Sequence, residues 1–158
     1  NAYFIKIMDD DALYDLIAVL LAQSGNAPTS SAAKSRIITL MPLLKERAKT
    51  HLDIAGSIGY LLGDGAVDIA PDAAELLTDE AKAILRDLDI SLATANWDLD
   101  GLKEAINGYL VEKGLKMRDI GLPLRAAVTG MKQTPSIVDI MVALGQSETS
   151  YRLQIACK

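Results

Sequence analysis

The sequence predicts an all-α protein built as two small packed helical subdomains, and three observations carry that prediction. Hydrophobic residues make up 50% of the 158-residue chain but aromatic ones only 4%, so the apolar content is chiefly Leu, Ile, Ala and Val, which suits helices packing on helices. Apolar residues recur at i, i+3, i+4 and i+7 in one stretch after another, the period of an amphipathic helix. No stretch reads as a strand, and heptads are nowhere sustained enough for a coiled coil. The length suffices for one good core or two adjoining smaller ones.

Leu13, Leu16, Ile17, Leu20 and Leu21 form the first stripe, behind Asp9-Asp10-Asp11, whose charge suits a helix N-terminus. This helix should end near Gly25, where Ser24 to Ser30 reads as a loop. A second helix is expected over about 31–47 and a third over about 52–62. Gly63-Asp64-Gly65 through Pro71 interrupts the pattern, giving subdomains of 1–70 and 71–158. Thr78 before Asp79 and Glu80 reads as an N-cap for a helix running to about residue 88. Leu99, Leu102, Ile106, Tyr109 and Leu110 make the next stripe, stopped by Lys113-Gly114. A helix of about 119–129 ends at Gly130. Thr134-Pro135 reads as the cap and first turn of another, which carries Ile137, Ile140, Met141 and Leu144 inward and stops at Gly145. A final helix is expected over about 148–156.

Several chemistries lack the residues they need. Cys157 is the only cysteine and His51 the only histidine, so no intrachain disulfide, thiolate zinc site or histidine cluster can be assembled. His51 reads as a helix-surface or packing residue. The glycines are scattered at helix ends, without a phosphate-binding loop. Asp9, Asp10 and Asp11 lack the alternating spacing and closing glutamate of a calcium loop. No apolar run reaches the roughly 18 residues needed to span a bilayer, so no membrane partner is expected, and the single cysteine fits a cytoplasmic setting.

Charge is distributed unevenly. Residues 34–51 hold Lys34, Arg36, Lys45, Arg47 and Lys49 against Glu46 alone, and residues 113–132 hold Lys113, Lys116, Arg118, Arg125 and Lys132 against Asp119 alone. Each segment is therefore +4 in a chain of net charge −5, and two basic stretches in an acidic protein point to a polyanion partner that net charge alone would not suggest.

Lys116 to Gly130, reading KMRDIGLPLRAAVTG, is followed by Thr134-Pro135-Ser136-Ile137, then Ala143-Leu144-Gly145, then Glu148 and Arg152-Leu153. This order and spacing resembles the anticodon-binding region of bacterial glutamyl-tRNA synthetases, in which a lysine precedes PLR-A-LTG, [ST]-P, an apolar helix and LG-x-E. Lys45-Glu46-Arg47-Ala48-Lys49-Thr50 resembles the family's ERA-x-T segment, Trp97 the tryptophan opening a preceding helix, and Asn1-Ala2-Tyr3-Phe4-Ile5 the run after its second catalytic signature. The stretch 52–65 departs from the family in lacking an aromatic-rich ending. Trp97 itself reads as a core residue.

The resemblance implies a helical anticodon-binding cage, unlike the β-barrel of bacterial glutaminyl-tRNA synthetases, and a glutamate tRNA as partner. It implies that Arg47 inspects the first anticodon letter, that Arg125 contacts the later bases, and that Thr134 and Ile137 line the same pocket. Lys116, Arg118 and Lys132 are phosphate-contact candidates on charge alone. Unpaired anticodon bases are what proteins read specifically in RNA, and arginine's planar fork suits the task. The chain is expected to be a monomeric piece of a longer protein, beginning just past the second catalytic motif. An N-terminal catalytic domain would hold ATP and Mg and attach glutamate, and this piece would carry neither cofactor nor catalytic residue. Two other readings remain open: the helical anticodon-binding region of a class I lysyl-tRNA synthetase, and a helical protein-interaction module without an RNA role.

Overall fold

A computed structural model describes residues 2–28 and 30–158; Asn1, part of the opening resemblance, and Thr29, in the first loop, lie outside the described residues. Packing divides the chain into two compact units, Asn1–Asp64 and Gly65–Lys158. The described residues form α-helices without strands.

The first unit comprises α1 (Ala2–Ile7), α2 (Asp10–Gln23), α3 (Ser31–Arg47), α4 (His51–Ser57) and a 3₁₀ turn, Gly59–Leu61. Each longer helix starts where a side chain satisfies an orphan N–H. The Asp9 carboxylate accepts from Ala12 N at 3.3 Å and the Ser30 hydroxyl from Ala33 N at 3.2 Å. At α4, Thr50 Oγ1 accepts from Asp53 N while Asp53 accepts from Thr50 N and Lys49 N, both at 3.0 Å, a reciprocal capping box. Those backbone bonds favour the ionised carboxylate and hold the Asp53 pKa below its usual range.

Leu13, Ile17 and Leu21 of α2 are buried against α3 and α4, together with Ile37, Leu40, Met41 and Ile54. Leu16 is 38% exposed and Leu20 half-buried, so the buried stripe is narrower than the sequence pattern. The helix expected to reach residue 62 stops at Ser57. Gly56 and Gly59 are poor helix formers, and the Ser57 hydroxyl donates to the Ile54 carbonyl at 3.1 Å, so the chain tightens into the 3₁₀ turn that buries Tyr60 and Leu61.

The second unit comprises α5 (Pro71–Ala74), α6 (Asp79–Leu92), α7 (Leu99–Lys113), α8 (Met117–Thr129), α9 (Ile137–Leu144) and α10 (Gln146–Ala156). Thr78 caps α6 through Ala81 N at 3.1 Å, and Asp98 caps α7 through Gly101 N at 2.7 Å. Helix α6 runs to Leu92, past the expected residue 88, because Ala81, Leu85, Leu88 and Leu92 prolong its buried stripe. Helix α8 lies at the centre, packed against α5, α6, α9 and α10 through Ile120, Leu124, Ala127 and Val128.

The sequence-based cap of α9 needs correction. The helix begins at Ile137 with Ser136 at the N-cap position, so Thr134 is not its cap and Pro135 lies outside the first turn. The Thr134 hydroxyl is engaged elsewhere, as described below. Trp97 is half-buried and donates its indole N–H to the Met141 carbonyl at 2.8 Å, tying the approach to α7 onto the last turn of α9.

A charged residue completes this core. Arg152, 1% exposed, bonds through Nε to Glu148 Oε1 at 2.9 Å and through Nη1 to the Val128 carbonyl at 3.0 Å. The same Glu148 oxygen accepts from Gly65 N at 2.7 Å. One ion pair therefore joins α10, the end of α8 and the start of the unit.

Candidate nucleic-acid interface

Residues predicted to touch RNA occur in both units. Arg47 is the last residue of α3 and is exposed, with no ion-pair partner among the described residues. Its position in the last turn suits the negative end of the helix dipole, which is a structural role available to any cation there. The basic stretch around it is less free than its composition implies. Arg36 is buried and pairs with Asp64 at 2.7 Å, Lys45 pairs with Asp10 at 2.5 Å, and Lys34 lies 5.2 Å from the centre of the Tyr14 ring. Arg47, Lys49 and Lys34 are the exposed cations of this stretch, and of these Lys34 lies over the Tyr14 ring.

In the second unit the fold brings Arg125 to Thr134, which precedes Ile137 by three residues. Arg125 is half-buried on α8 and donates Nε–H to Thr134 Oγ1 at 2.8 Å. Thr134 is 8% exposed and donates its own proton to the Pro135 carbonyl at 2.8 Å. Ile137 opens α9 and is 3% exposed. The turn between the helices is held by Thr129, whose hydroxyl donates to the Arg125 carbonyl at 2.7 Å and accepts from Met131 N at 3.1 Å.

The same unit carries outward charge. Lys116, Arg118 and Lys132 are exposed and have no ion-pair partner among the described residues, whereas Lys113 is drawn to Asp87 at 3.3 Å and to the Tyr109 ring. The Tyr109 hydroxyl, buried and bonded to Asp87 at 3.0 Å, has its pKa pushed up to about 12, so it stays protonated near neutrality. Helix α8 starts at Met117, two residues before the sequence-based estimate, because the Asp119 carboxylate reaches back to Lys116 N at 2.8 Å. That places Lys116 and Arg118 at the positive end of the helix dipole, where a cation is unfavourable for the helix by a few tenths of a kcal/mol. An anion docked there would meet two cations and the orphan N–H groups together.

One feature of α8 escaped the sequence reading. Arg118, Leu122 and Arg125 stand at i, i+4 and i+7, so they share one face, with about 10 Å of helix axis between the two arginines. Leu122 is 42% exposed between them. The spacing was available in the sequence; the exposure that distinguishes Leu122 from a core residue was not.

The anticodon binding domain family model matches residues 12–157 of this chain. Glutamate--tRNA ligase 2 of Brucella ovis and of Brucella canis are each 33% identical to it over 159 residues, which cover 97% of this chain. The chain spans about a third of the length of those relatives, 34%. A crystal structure of a glutamate tRNA ligase from Elizabethkingia meningosepticum in complex with its amino acid superposes with a TM-score of 0.82 at 23% identity, over 99% of this chain and 30% of that one. The glutamate-tRNA synthetase of Elizabethkingia anophelis gives a TM-score of 0.77 at 22% identity, with the same coverage. At these identities the two structures speak to the fold.

Proposed function

Because this chain belongs to the anticodon-binding domain family, we propose that it reads the anticodon of a glutamate tRNA within a glutamate–tRNA ligase. The observation that carries this reading is the Arg125 guanidinium, held by a hydrogen bond from α8 to Thr134 in the α8–α9 turn, in a unit whose Lys116, Arg118 and Lys132 are exposed. A planar cation held in place suits an unstacked base, and exposed cations of the same unit suit its phosphates. Arg125 contacts the later anticodon bases and Thr134 and Ile137 line their pocket. Arg47 inspects the first letter from the other unit, while Lys116, Arg118 and Lys132 position the backbone. Attachment of glutamate, with its ATP and Mg, belongs to the catalytic remainder of the ligase, and the chain acts as a monomer in the cytoplasm.

The test is fluorescence anisotropy of the full chain with a glutamate-tRNA anticodon stem-loop transcript. Affinity should fall as salt rises, with a log–log slope of roughly −0.7 per phosphate neutralised. Arg125→Ala should weaken binding about ten- to a hundredfold and relax discrimination against anticodon-substituted transcripts, while Lys116→Ala should weaken all transcripts equally. Binding that ignores the anticodon would overturn the anticodon reading, and no binding at all would leave the protein-interaction reading in its place. A glutamine-tRNA transcript separates the role of Arg47. Arg47→Gln should narrow the preference between transcripts differing at the first anticodon letter, and an unchanged preference removes Arg47 as the reader.

A further inference from the structure

We infer that Thr134, in the wall of the proposed pocket, acts by positioning Arg125 and serves neither as a helix cap nor as a hydrogen-bond partner of a base. The inference rests on the proposed role of Arg125 in RNA binding and adds the means by which its guanidinium is aimed.

The hydroxyl of Thr134 has one proton, and it is given to the Pro135 carbonyl at 2.8 Å. Towards Arg125 the same oxygen can only accept, and it takes the Nε–H at 2.8 Å. A hydroxyl serving both bonds at 8% exposure has little left to offer a base. The Nε–H lies in the guanidinium plane, so fixing it sets that plane and the direction of both Nη groups. Arginine otherwise loses much rotamer freedom on binding, and a side chain already oriented loses less.

The local sequence holds the acceptor in place. Proline at 135 confines Thr134 to extended backbone, β-branching stiffens its χ1, and Pro135 is itself buried. The hydroxyl is thereby presented to α8 by a segment with little freedom to move. Since α9 begins at Ile137 behind Ser136, nothing in its cap requires a hydroxyl at 134.

A double-mutant cycle on the full chain tests this with the same stem-loop transcript. Thr134→Val, which keeps the shape and removes the acceptor, should weaken binding about tenfold and relax discrimination between anticodons, the size expected for one hydrogen bond to a charged group. Thr134→Ser should restore both to within about twofold of the parent, since the hydroxyl is retained. In an Arg125→Ala background Thr134→Val should have no further effect. Thr134→Ala, which adds no bulk, serves in parallel should valine disturb thermal unfolding. Additive losses from the two sites, or full binding by both the valine and alanine variants, overturn the positioning role. Failure of the RNA-binding reading has a separate signature, because Arg125→Ala alone would then bind like the parent.

Discussion

Replacing Arg152 with methionine is expected to cost the second unit about 3–5 kcal/mol of stability. The guanidinium is 1% exposed and supplies Glu148 and the Val128 carbonyl with donors. Methionine fills much of the volume but leaves a carboxylate that is largely buried without its counter-charge, and a helix-end carbonyl without a partner. Trp97 is the only tryptophan and lies in this unit, so its fluorescence follows urea or heat unfolding there without interference from the first. For a chain of this size the loss corresponds to a fall in Tm on the order of 10 °C. Adding Glu148→Gln should recover part of it, because a neutral amide oxygen can still accept from Gly65 N, now at 2.7 Å from the carboxylate, without burying an unpaired charge. A loss below about 1 kcal/mol in the single variant would show that the ion pair is not holding the unit together.

A comparable effect is expected from a single methyl group at Gly130. Its φ is +75°, a left-handed conformation that costs an L side chain about 1–2 kcal/mol. A Cβ there would also sit 2.1 Å from the Asp68 carbonyl oxygen, and that backbone cannot yield freely because Ala70 N donates to the Gly130 carbonyl at 2.9 Å. Overpacking adds about 1–3 kcal/mol, so Gly130→Ala should lose roughly 2–5 kcal/mol in all. Gly114, with φ +67° and open space around its would-be Cβ, isolates the conformational part. Gly114→Ala should cost only about 1–2 kcal/mol. Equal losses at both glycines, read by the same fluorescence transition, would rule out the clash with Asp68.

The helices were legible to different degrees for local reasons. Thr78 caps as its sequence suggests, since its hydroxyl reaches an N–H three residues on whatever lies beyond. The short helices α1 and α5 carried no stripe long enough to register. Thr134-Pro135 failed as a cap because a competing donor, Arg125 on another helix, claims the hydroxyl. The two basic stretches were visible as charge, yet Arg36, Lys45 and Lys113 spend theirs within the fold on Asp64, Asp10 and Asp87. In the candidate site, Arg125 and its neighbours rested on motif order, and the outward ridge of Arg118 and Leu122 emerged only with burial.

By itself the sequence determined the all-α class, most helix starts and stops, and the order of motifs that marks an anticodon-binding region, because these depend on contacts within a few residues of chain. Only the tertiary structure decided which polar groups meet across distance: Arg152 with Val128, Glu148 with Gly65, and Arg125 with Thr134. A side chain's hydrogen-bonding capacity is written in its chemistry, but its partner is chosen by packing, where several donors compete for one acceptor and burial penalises whichever is left unpaired.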